Sequence, residues 1–287
     1  MNCISAQFIK TMLFLHAHHI VDLYCWIDSL VSHEVKKSTG RPLLLSDSEV
    51  ATALIWSTVA LKQKTLKDAY NTLCLYHTKD FPSLPSYKTF VRRAHKSAPF
   101  LLALLSELLS NREAVRIMDA TMLPVCKLQR AHHHKTAKTI AQFGKNWQGW
   151  HYGLKLHASI SLDGRLCGLA LTGANVYDAQ LMPKILNEYC RLAVGDTLYG
   201  ARVMGERIKR EYGTIIIATP HPKQTKKIAA PWQIALLNIR SKIESVFDYL
   251  KEHLHLVSSF PRSVNGYILH YVRILLSYQI MALCKGI

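Results

Sequence analysis

The stretch AVRIMDATMLP, residues 114–124, predicts a β-strand with one acid in its middle. It is rich in apolar and β-branched residues, and Pro124 limits how far the strand can run. Asp119 lies at its centre, where an ionised carboxylate is costly unless a donor or a cation meets it. Two explanations stay open at this point. Asp119 is either a buried acid satisfied by backbone N–H groups or an Arg, or a metal ligand at the end of a core strand.

On the C-terminal side of this strand, the sequence alternates between strands and helices. Asp163-Gly164 is a strong hairpin signal, and a short glycine-bounded strand carries Asp196 at its centre. The predicted elements are strands at 151–162 and 166–171, a helix at 179–192, a strand at 194–200, a helix at 201–210, a strand at 214–219 and a helix at 231–256. This order predicts an α/β fold with a ribonuclease-H-like mixed sheet flanked by helices.

The sequence before residue 111 predicts an N-terminal all-helical region. Ser46 or Asp47 can cap a helix, followed by Glu49 and an apolar run. Ser86 can cap another, at residues 87–95, whose basic and aromatic side chains fit a recognition helix of the helix-turn-helix kind. An ordinary amphipathic helix with a solvated basic face is the alternative. The residues concerned are Lys88, Arg92, Arg93 and Lys96, with Tyr87 and Phe90.

The charge of the chain indicates a polyanionic partner. Lys and Arg number 36 and Asp and Glu 19, a formal net charge of +17. Such an excess is typical of proteins that neutralise phosphates and release counterions. A membrane surface is the weaker alternative, because the basic residues are spread along the whole chain. We therefore expect DNA or another nucleic acid as the partner, and no membrane.

Cysteine usage and hydropathy favour a soluble cytoplasmic protein. The seven Cys residues are scattered and contain no CxxC pair, so neither a disulfide framework nor a thiolate zinc site is indicated. The N-terminus shows no signal-peptide pattern. The most apolar long segment, residues 267–283, carries His270 and Arg273 in its middle, which argues against a membrane span.

A third acid, Glu244, lies on the predicted helix at 231–256. Arg240, Glu244 and Lys251 are spaced i, i+4 and i+11, so they share one stripe of that helix. Most such stripes are solvated faces held by ion pairs. Here the stripe follows two acids that are carried by strands, and this order favours a functional interpretation.

These residues resemble the DDE catalytic triad of bacterial insertion-sequence transposases. Asp119, Asp196 and Glu244 occur in the family's order on strand, strand and helix, and Arg240 and Lys251 match its C-terminal signature, in which Leu237 replaces a Tyr. The segments MDATMLPVCK, YGLKLH, LTGANVYD and GDTLYG resemble those that flank the first two acids. The resemblance covers residues 114–256 well and 40–96 more loosely. An ordered set of this kind is far more specific than any one short motif.

The resemblance implies a mechanism and a set of ligands. Asp119, Asp196 and Glu244 would be catalytic and would hold two Mg²⁺ ions, with Mn²⁺ as a substitute, Asp119 bridging both. Arg240 and Lys251 would contact phosphates. The partners would be terminal inverted repeats and target duplex, bound by a homodimer or higher oligomer in the bacterial nucleoid. The alternatives are a metal-dependent endonuclease of the same fold, and a non-catalytic DNA-binding protein derived from a transposase.

The resemblance also suggests a separate role for each of three regions of the chain. Residues 1–110 would bind DNA or dimerise, 111–260 would form the catalytic domain, and 261–287 would form a helix packed on the core or at an oligomer interface. Residues 126–149 form a polar, basic stretch. Four of its residues are predicted to contact DNA, namely Lys127, Arg130, Lys135 and Trp147.

Several neighbouring residues receive other interpretations. Trp150 and Tyr152 could stack an unpaired base, although packing is the usual role of such residues. Residues 132–134 with His151 and His157 could form a zinc site, but a basic loop that contacts nucleic acid is favoured, since consecutive His residues rarely point the same way. Helix capping explains Asp178, which precedes a predicted helix.

Overall fold

A computed structural model describes residues 19–30, 43–220 and 230–285. The chain divides into two compact units, each of which has its own packed interior. The helical unit comprises Met1–Leu108, Glu252–Leu256 and Phe260–Ile287, and the sheet unit comprises Leu109–Lys251 and Val257–Ser259. The C-terminal helix therefore belongs with the N-terminal helices. The roles suggested for the three sequence regions remain predictions.

The sheet unit is built on a six-stranded mixed sheet. Its strands are β1 (Val115–Pro124), β2 (Gln142–Asn146), β3 (Gly149–Ile160), β4 (Leu166–Gly173), β5 (Leu192–Gly195) and β6 (Ile215–Ala218). β1 lies in the middle, antiparallel to β3 and parallel to β5, and β5 is parallel to β6. β2 and β4 pair with different parts of β3. The order β4-β3-β1-β5-β6 is the mixed arrangement expected of a ribonuclease-H-like fold, so the predicted fold class is confirmed.

Helices flank this sheet. A buried cluster joins Met118 of β1 to Met182, Ile185 and Ile208 from the helical segments that follow β4 and β5. The α-helices described in the sheet unit, numbered after the five that precede them in the chain, are α6 (Met182–Ile185), α7 (Arg202–Tyr212), α8 (Pro231–Asn238) and α9 (Ser241–Asp248). Three short 3₁₀ helices lie at Leu128–His133, Asp178–Leu181 and Thr197–Gly200, and a π-helical turn at Tyr249–His253 follows α9.

Several predicted boundaries were wrong. Residues 126–149, to which no element was assigned, contain a 3₁₀ helix and β2. The predicted helix at 179–192 is only a 3₁₀ turn and one turn of α6, and the chain is extended at Leu186. The predicted strand at 194–200 ends at Gly195, because Asp196 caps the 3₁₀ helix that follows.

The predicted long helix at 231–256 is interrupted between α8 and α9. The backbone N–H groups of Arg240, Lys242 and Ile243 bond to carbonyls three residues earlier rather than four. This tighter bonding marks the end of one helix and the start of the next. Arg240 consequently lies at the N-terminal edge of α9, one turn before Glu244.

The helical unit packs its helices around a long C-terminal one. Its helices are α1 (Ile20–Ser29), α2 (Asp47–Leu61), α3 (Leu66–Tyr76), α4 (Tyr87–Lys96), α5 (Ala98–Leu108) and α10 (Val264–Lys285). The helical spacing of apolar residues over 8–30 also predicts a helix, and its start lies outside the described residues. α10 contacts α2, α4 and α5. Residues Val264–Cys284 are long and apolar enough to cross a membrane, but 89% of that window is buried inside the protein, as in a core helix.

Local capping explains where α2 begins but not where α4 begins. Ser46 Oγ accepts from the Glu49 N–H at 3.1 Å, and a Glu49 carboxylate oxygen accepts from the Ser46 N–H at 2.6 Å. This capping box confirms the start that the sequence predicts for α2. Ser86 precedes α4 as predicted, but its hydroxyl contacts Thr89 Oγ1 rather than a backbone N–H group.

Candidate active site

The pairing of β1 with β5 brings the first two predicted acids level with each other. The parallel register pairs Ile117 with Val194, and Asp119 and Asp196 each follow two residues later. Residues at the same level of adjacent parallel strands project to the same side of a sheet. The two carboxylates are close enough for the charge of Asp196 to raise the pKa of Asp119. Two distant parts of the sequence thus meet where β5 ends.

Asp119 is a desolvated acid. Its side chain is 18% exposed, and the N–H of Ala120 donates to Oδ1 at 2.7 Å. Burial raises its pKa to about 7, and the charges of Asp196 and Asp178 act in the same direction. The Ala120 N–H and the Arg240 guanidinium oppose this shift without cancelling it. The site therefore holds less positive charge than the carboxylate needs.

Asp196 is fixed by the turn that follows β5. Its Oδ1 accepts from the Leu198 N–H at 2.9 Å, which caps the 3₁₀ helix. Burial is the largest cause of its raised pKa, and Asp178 adds to the shift. Gly195 precedes it because a Cβ there would lie 2.8 Å from the ring of Tyr199, which is 1% exposed and packs under this turn.

Glu244 is linked to Asp119 through one arginine. The Arg240 Nη2 lies 2.7 Å from a Glu244 carboxylate oxygen, and its Nη1 lies 3.7 Å from Asp119 Oδ2. Glu244 is 49% exposed, so its own pair with Arg240 is largely hydrated. Arg240 therefore joins Glu244 to Asp119, and the negative charges of Asp119 and Asp196 repel each other. α9 contacts β1, which holds Arg240 beside the strand.

The donor set suits a hard divalent cation in part. Among the described residues, no group of three or more His, Cys, Asp or Glu side chains is arranged as a metal site. Asp119 and Asp196 nevertheless supply carboxylate oxygens, the ligands that Mg²⁺ prefers, and both have raised pKa values that a bound cation would lower. Glu244 could join them only if its pair with Arg240 opened. The two aspartates supply the oxygen ligands that such a cation takes, and Glu244 is held in its pair with Arg240.

Asp178 was missed, because the sequence assigned it to helix capping. The structure contradicts that interpretation: Asp178 Oδ1 lies 2.9 Å from Lys155 Nζ, and no side-chain cap is made at the 3₁₀ helix. His157 Nε2 bonds to Thr172 Oγ1 at 2.9 Å, and its Nδ1 lies 3.5 Å from Asp178 Oδ1. Burial lowers the pKa of His157 to about 4, so the ring is neutral at pH 7. The alternation of Lys155 and His157 along β3 was the signal that could have found this cluster.

The predicted DNA-contacting residues of the sheet unit are largely exposed. Trp147, at the turn between β2 and β3, is 90% exposed, and Trp150 is 56% exposed. Tyr152 is 7% exposed and packs against Phe143 with ring centroids 4.8 Å apart, so it is not available to stack a base. Lys251 lies half-buried in the π-helical turn. The basic residues exposed near the 3₁₀ helix at Leu128–His133 are Lys127, Arg130 and Lys135.

The basic residues of α4 in the helical unit differ in how they are held. Lys88 and Arg92 are exposed and one turn apart, so they lie on the same side of the helix. Arg93 is turned inward, where its Nη2 lies 2.8 Å from Asp47 and its Nε donates to the Leu45 carbonyl at 2.9 Å. Contact of these residues with DNA remains a prediction, and Arg93 would have to leave Asp47 to make it.

Comparison with known proteins identifies one family. The sequence model of the family described as transposase DDE domain matches residues 109–264, just over half of the chain. No curated protein and no solved structure matches the chain. The matched segment contains Asp119, Asp196 and Glu244 together with Arg240 and Lys251.

Proposed function

The chain belongs to the transposase DDE domain family, and from that premise we propose that it binds the terminal inverted repeats of an insertion sequence and catalyses metal-dependent strand cleavage and strand transfer. Asp119, Asp196 and Glu244 would carry the reaction. The observation that supports this most directly is the level position of Asp119 and Asp196, two desolvated acids beside an arginine that also pairs with Glu244.

Each aspartate has one oxygen fixed and one left over. The Ala120 and Leu198 N–H groups occupy Oδ1 of Asp119 and of Asp196 respectively. The Oδ2 atoms would be the cation ligands, with Glu244 completing the set for two Mg²⁺ or Mn²⁺ ions. When bound, such ions supply activation of a water or 3′-hydroxyl nucleophile and neutralisation of charge on the leaving oxygen.

Arg240 would exchange partners when DNA binds. It spans Glu244 and Asp119 in the protein without DNA, and its planar fork matches the oxygens of a phosphate. Transfer of the guanidinium to a phosphate near the scissile bond would release Glu244 toward the two aspartates. Lys251, in the π-helical turn that follows α9, would add a point charge for a neighbouring phosphate.

A broad basic surface would hold the duplex. The net charge of +17 supports strong attraction of phosphates. Exposed Lys127, Arg130 and Lys135 would contact the backbone, and Trp147 would offer a ring on which a base can stack. In the helical unit, Lys88 and Arg92 would contribute further phosphate contacts. Assembly of two ends would require a homodimer or a higher oligomer.

The test uses DNA from both ends of the element that encodes the protein. The purified full-length protein is incubated with labelled end fragments, a target plasmid, and Mg²⁺ or Mn²⁺. We expect end cleavage and joined products with the unchanged protein, and neither with Asp119→Asn, Asp196→Asn or Glu244→Gln. All three variants should still bind the ends. Glu206→Gln, an exposed acid paired with Arg202 on α7, is the matched control and should remain active.

The products distinguish the alternative functions. Cleavage without joining would indicate an endonuclease of the same fold. Metal-independent binding without cleavage would indicate a DNA-binding protein that has lost catalysis. Retained cleavage in any one of the three acid variants would contradict the assignment of that residue.

A further inference from the structure

The helical unit contains a cavity of about 270 Å³ between α3, α4 and the start of α10. Apolar and aromatic side chains form much of its wall, including Leu66, Val91, Tyr87 and Phe260. Among the described residues, the lining also includes three cationic side chains and two imidazoles but no acid; these are Lys64, Arg262, Arg273, His95 and His270.

Arg273 is the residue that needs an explanation. It is 2% exposed, and its Nη2 donates to the Lys64 carbonyl at 3.0 Å. Its Nε and Nη1 are buried without a hydrogen-bond partner among the described residues. Burial lowers its pKa to about 10, so the guanidinium remains charged at neutral pH. A buried charge that is not fully hydrogen-bonded is strongly unfavourable.

Asp68, the acid whose charge acts on Arg273, does not satisfy the hydrogen bonds of Arg273. Asp68 partly offsets the lowered pKa of Arg273 through its charge. Its carboxylate is engaged elsewhere, since Oδ2 accepts from Thr65 Oγ1 at 2.7 Å and from the Thr65 N–H at 3.3 Å in a capping box. His270 cannot supply a negative charge either. Its Nε2 lies 3.1 Å and 3.2 Å from the carbonyls of His255 and Leu256, and its pKa is lowered to about 3.

The N-terminal part of α10 forms part of the cavity wall. Gly266, Leu269, His270 and Arg273 follow helical spacing, so they form one face that lines the cavity. Ser263 Oγ accepts from the Gly266 N–H at 3.0 Å, which places the first turn of this 22-residue helix in the cavity wall. The N-terminus of a helix carries partial positive charge and favours an anion.

We propose that this cavity binds a nucleotide, with its phosphate on Arg273 and its flat base against the apolar wall. The unpaired Nε and Nη1 atoms are buried, so a small movement of the guanidinium toward the cavity would offer their N–H groups to phosphate oxygens, and Arg262 at the exposed rim would add a second cation. The nucleotide is either free or the terminal nucleotide of a DNA strand. The proposal does not depend on the acids of the sheet unit, and it can stand or fall separately from them.

The first experiment measures binding to the full-length protein. Thermal unfolding and calorimetric titration are carried out with adenosine monophosphate, inorganic phosphate and adenosine at constant ionic strength. We expect adenosine monophosphate to raise the melting temperature most, inorganic phosphate to raise it less, and adenosine to have little effect. Equal shifts with all three probes, or no shift beyond that of chloride at the same ionic strength, would overturn the proposal.

Variants identify the site. Arg273→Met should weaken adenosine monophosphate binding by about tenfold or more, because charge-assisted hydrogen bonds are lost. Arg262→Met, at an exposed position that folding does not need, should weaken it less. Lys79→Met is the matched control: it removes one exposed charge from the same unit away from the cavity and should bind normally. Unchanged binding in both arginine variants would place the nucleotide elsewhere and contradict the proposal.

A competition experiment identifies the source of the nucleotide. If a 5′-phosphorylated trinucleotide displaces adenosine monophosphate and its unphosphorylated form does not, the cavity takes the end of a DNA strand. If neither trinucleotide competes while adenosine monophosphate binds, the cavity takes the free nucleotide. Both outcomes support the proposal. Displacement by both trinucleotides alike would contradict it, since the phosphate would then not be the recognised group.

Discussion

Two buried aspartates of the sheet unit have opposite surroundings. The Asp178 carboxylate lies 2.9 Å from Lys155 Nζ and beside His157, and it is 11% exposed. The Asp119 carboxylate is 18% exposed, and Arg240 lies 3.7 Å away, beyond hydrogen-bond distance. A buried acid with a close cation has its charge compensated, so that removal of one partner is costly, whereas an acid with too little positive charge nearby is open to a further cation. The difference distinguishes an acid whose charge is compensated from one whose charge is not, within one sheet.

The largest expected effect is a loss of strand cleavage when Asp119 is replaced. Asp119→Asn should lower strand cleavage by on the order of a thousandfold or more, because a cation ligand is lost. The free energy of unfolding in urea with EDTA should stay the same or rise, since a desolvated charge that Asp196 repels is removed. Activity and stability would then change in opposite directions. A clear loss of stability would show that Asp119 is a structural acid.

The second effect is a loss of stability at Asp178. Asp178→Asn should lower the free energy of unfolding by about 3 kcal/mol, because Lys155 is left buried without its partner. Adding Lys155→Met should recover much of this loss, as a double-mutant cycle would measure. Asp163→Asn is the matched control, because its pair with Arg165 is half-exposed and should contribute below about 1 kcal/mol. Equal losses of stability at Asp178 and Asp163 would contradict the prediction that the buried pair matters more than the half-exposed one.

The third effect is a pH dependence centred on His157. Its pKa is about 4 in the folded protein and 6.5 in the unfolded chain. The unfolded chain therefore binds more protons between pH 4 and pH 6.5. The contribution to stability is present above pH 6.5 and is lost as the pH falls toward 4. His157→Gln should reduce the pH-dependent loss of unfolding free energy between pH 6.5 and pH 4 by on the order of 2 kcal/mol. His270 has a lowered pKa as well, so part of the slope should remain. An unchanged slope would show that His157 is not the titrating group.

The smallest effect concerns the turn that carries Asp196. Gly195→Ala would place a Cβ 2.8 Å from the Tyr199 ring, which must shift. We expect a loss of about 1 kcal/mol and a larger fractional loss of cleavage, because the turn that orients Asp196 moves. Gly200→Ala is the matched control, since its Cβ would lie 3.5 Å from Ala218, an ordinary contact. Similar behaviour of the two variants would exclude this packing as the reason for a glycine at 195.

The sequence was most informative where local signals agreed. The hydrophobic pattern of residues 114–124 and the Asp163-Gly164 turn predicted β1 and the hairpin of β3 and β4. The capping box at Ser46 and Glu49 predicted the start of α2. These signals depend on neighbouring residues alone. The assignments of Asp119, Asp196 and Glu244 came from their order and resemblance, and they stay predictions until cleavage is measured.

The sequence was least informative where packing overrules local preference. Residues 179–192 have helix-forming residues, but the chain turns extended at Leu186 and the Asn187 side chain accepts from buried Arg116 at 2.5 Å, so the helix stops after one turn. β2 was missed because its five residues pair with β3 across a turn that contains no strong signal. Asp178 was misassigned because its partner Lys155 is 23 residues away in the sequence.

By itself, the sequence determined the α/β class, the basic character and the order of three acids, because composition and hydrophobic period are properties of the chain alone. The tertiary structure decided which acids are desolvated and which are paired. Parallel register brought Asp119 level with Asp196, and the turn after β4 brought Asp178 to Lys155. In the other unit, helix packing buried Arg273, and the described part of the chain leaves two of its nitrogen atoms without a hydrogen-bond partner. Distance and solvent access govern the energy of a charge, and both are established only when the chain has folded.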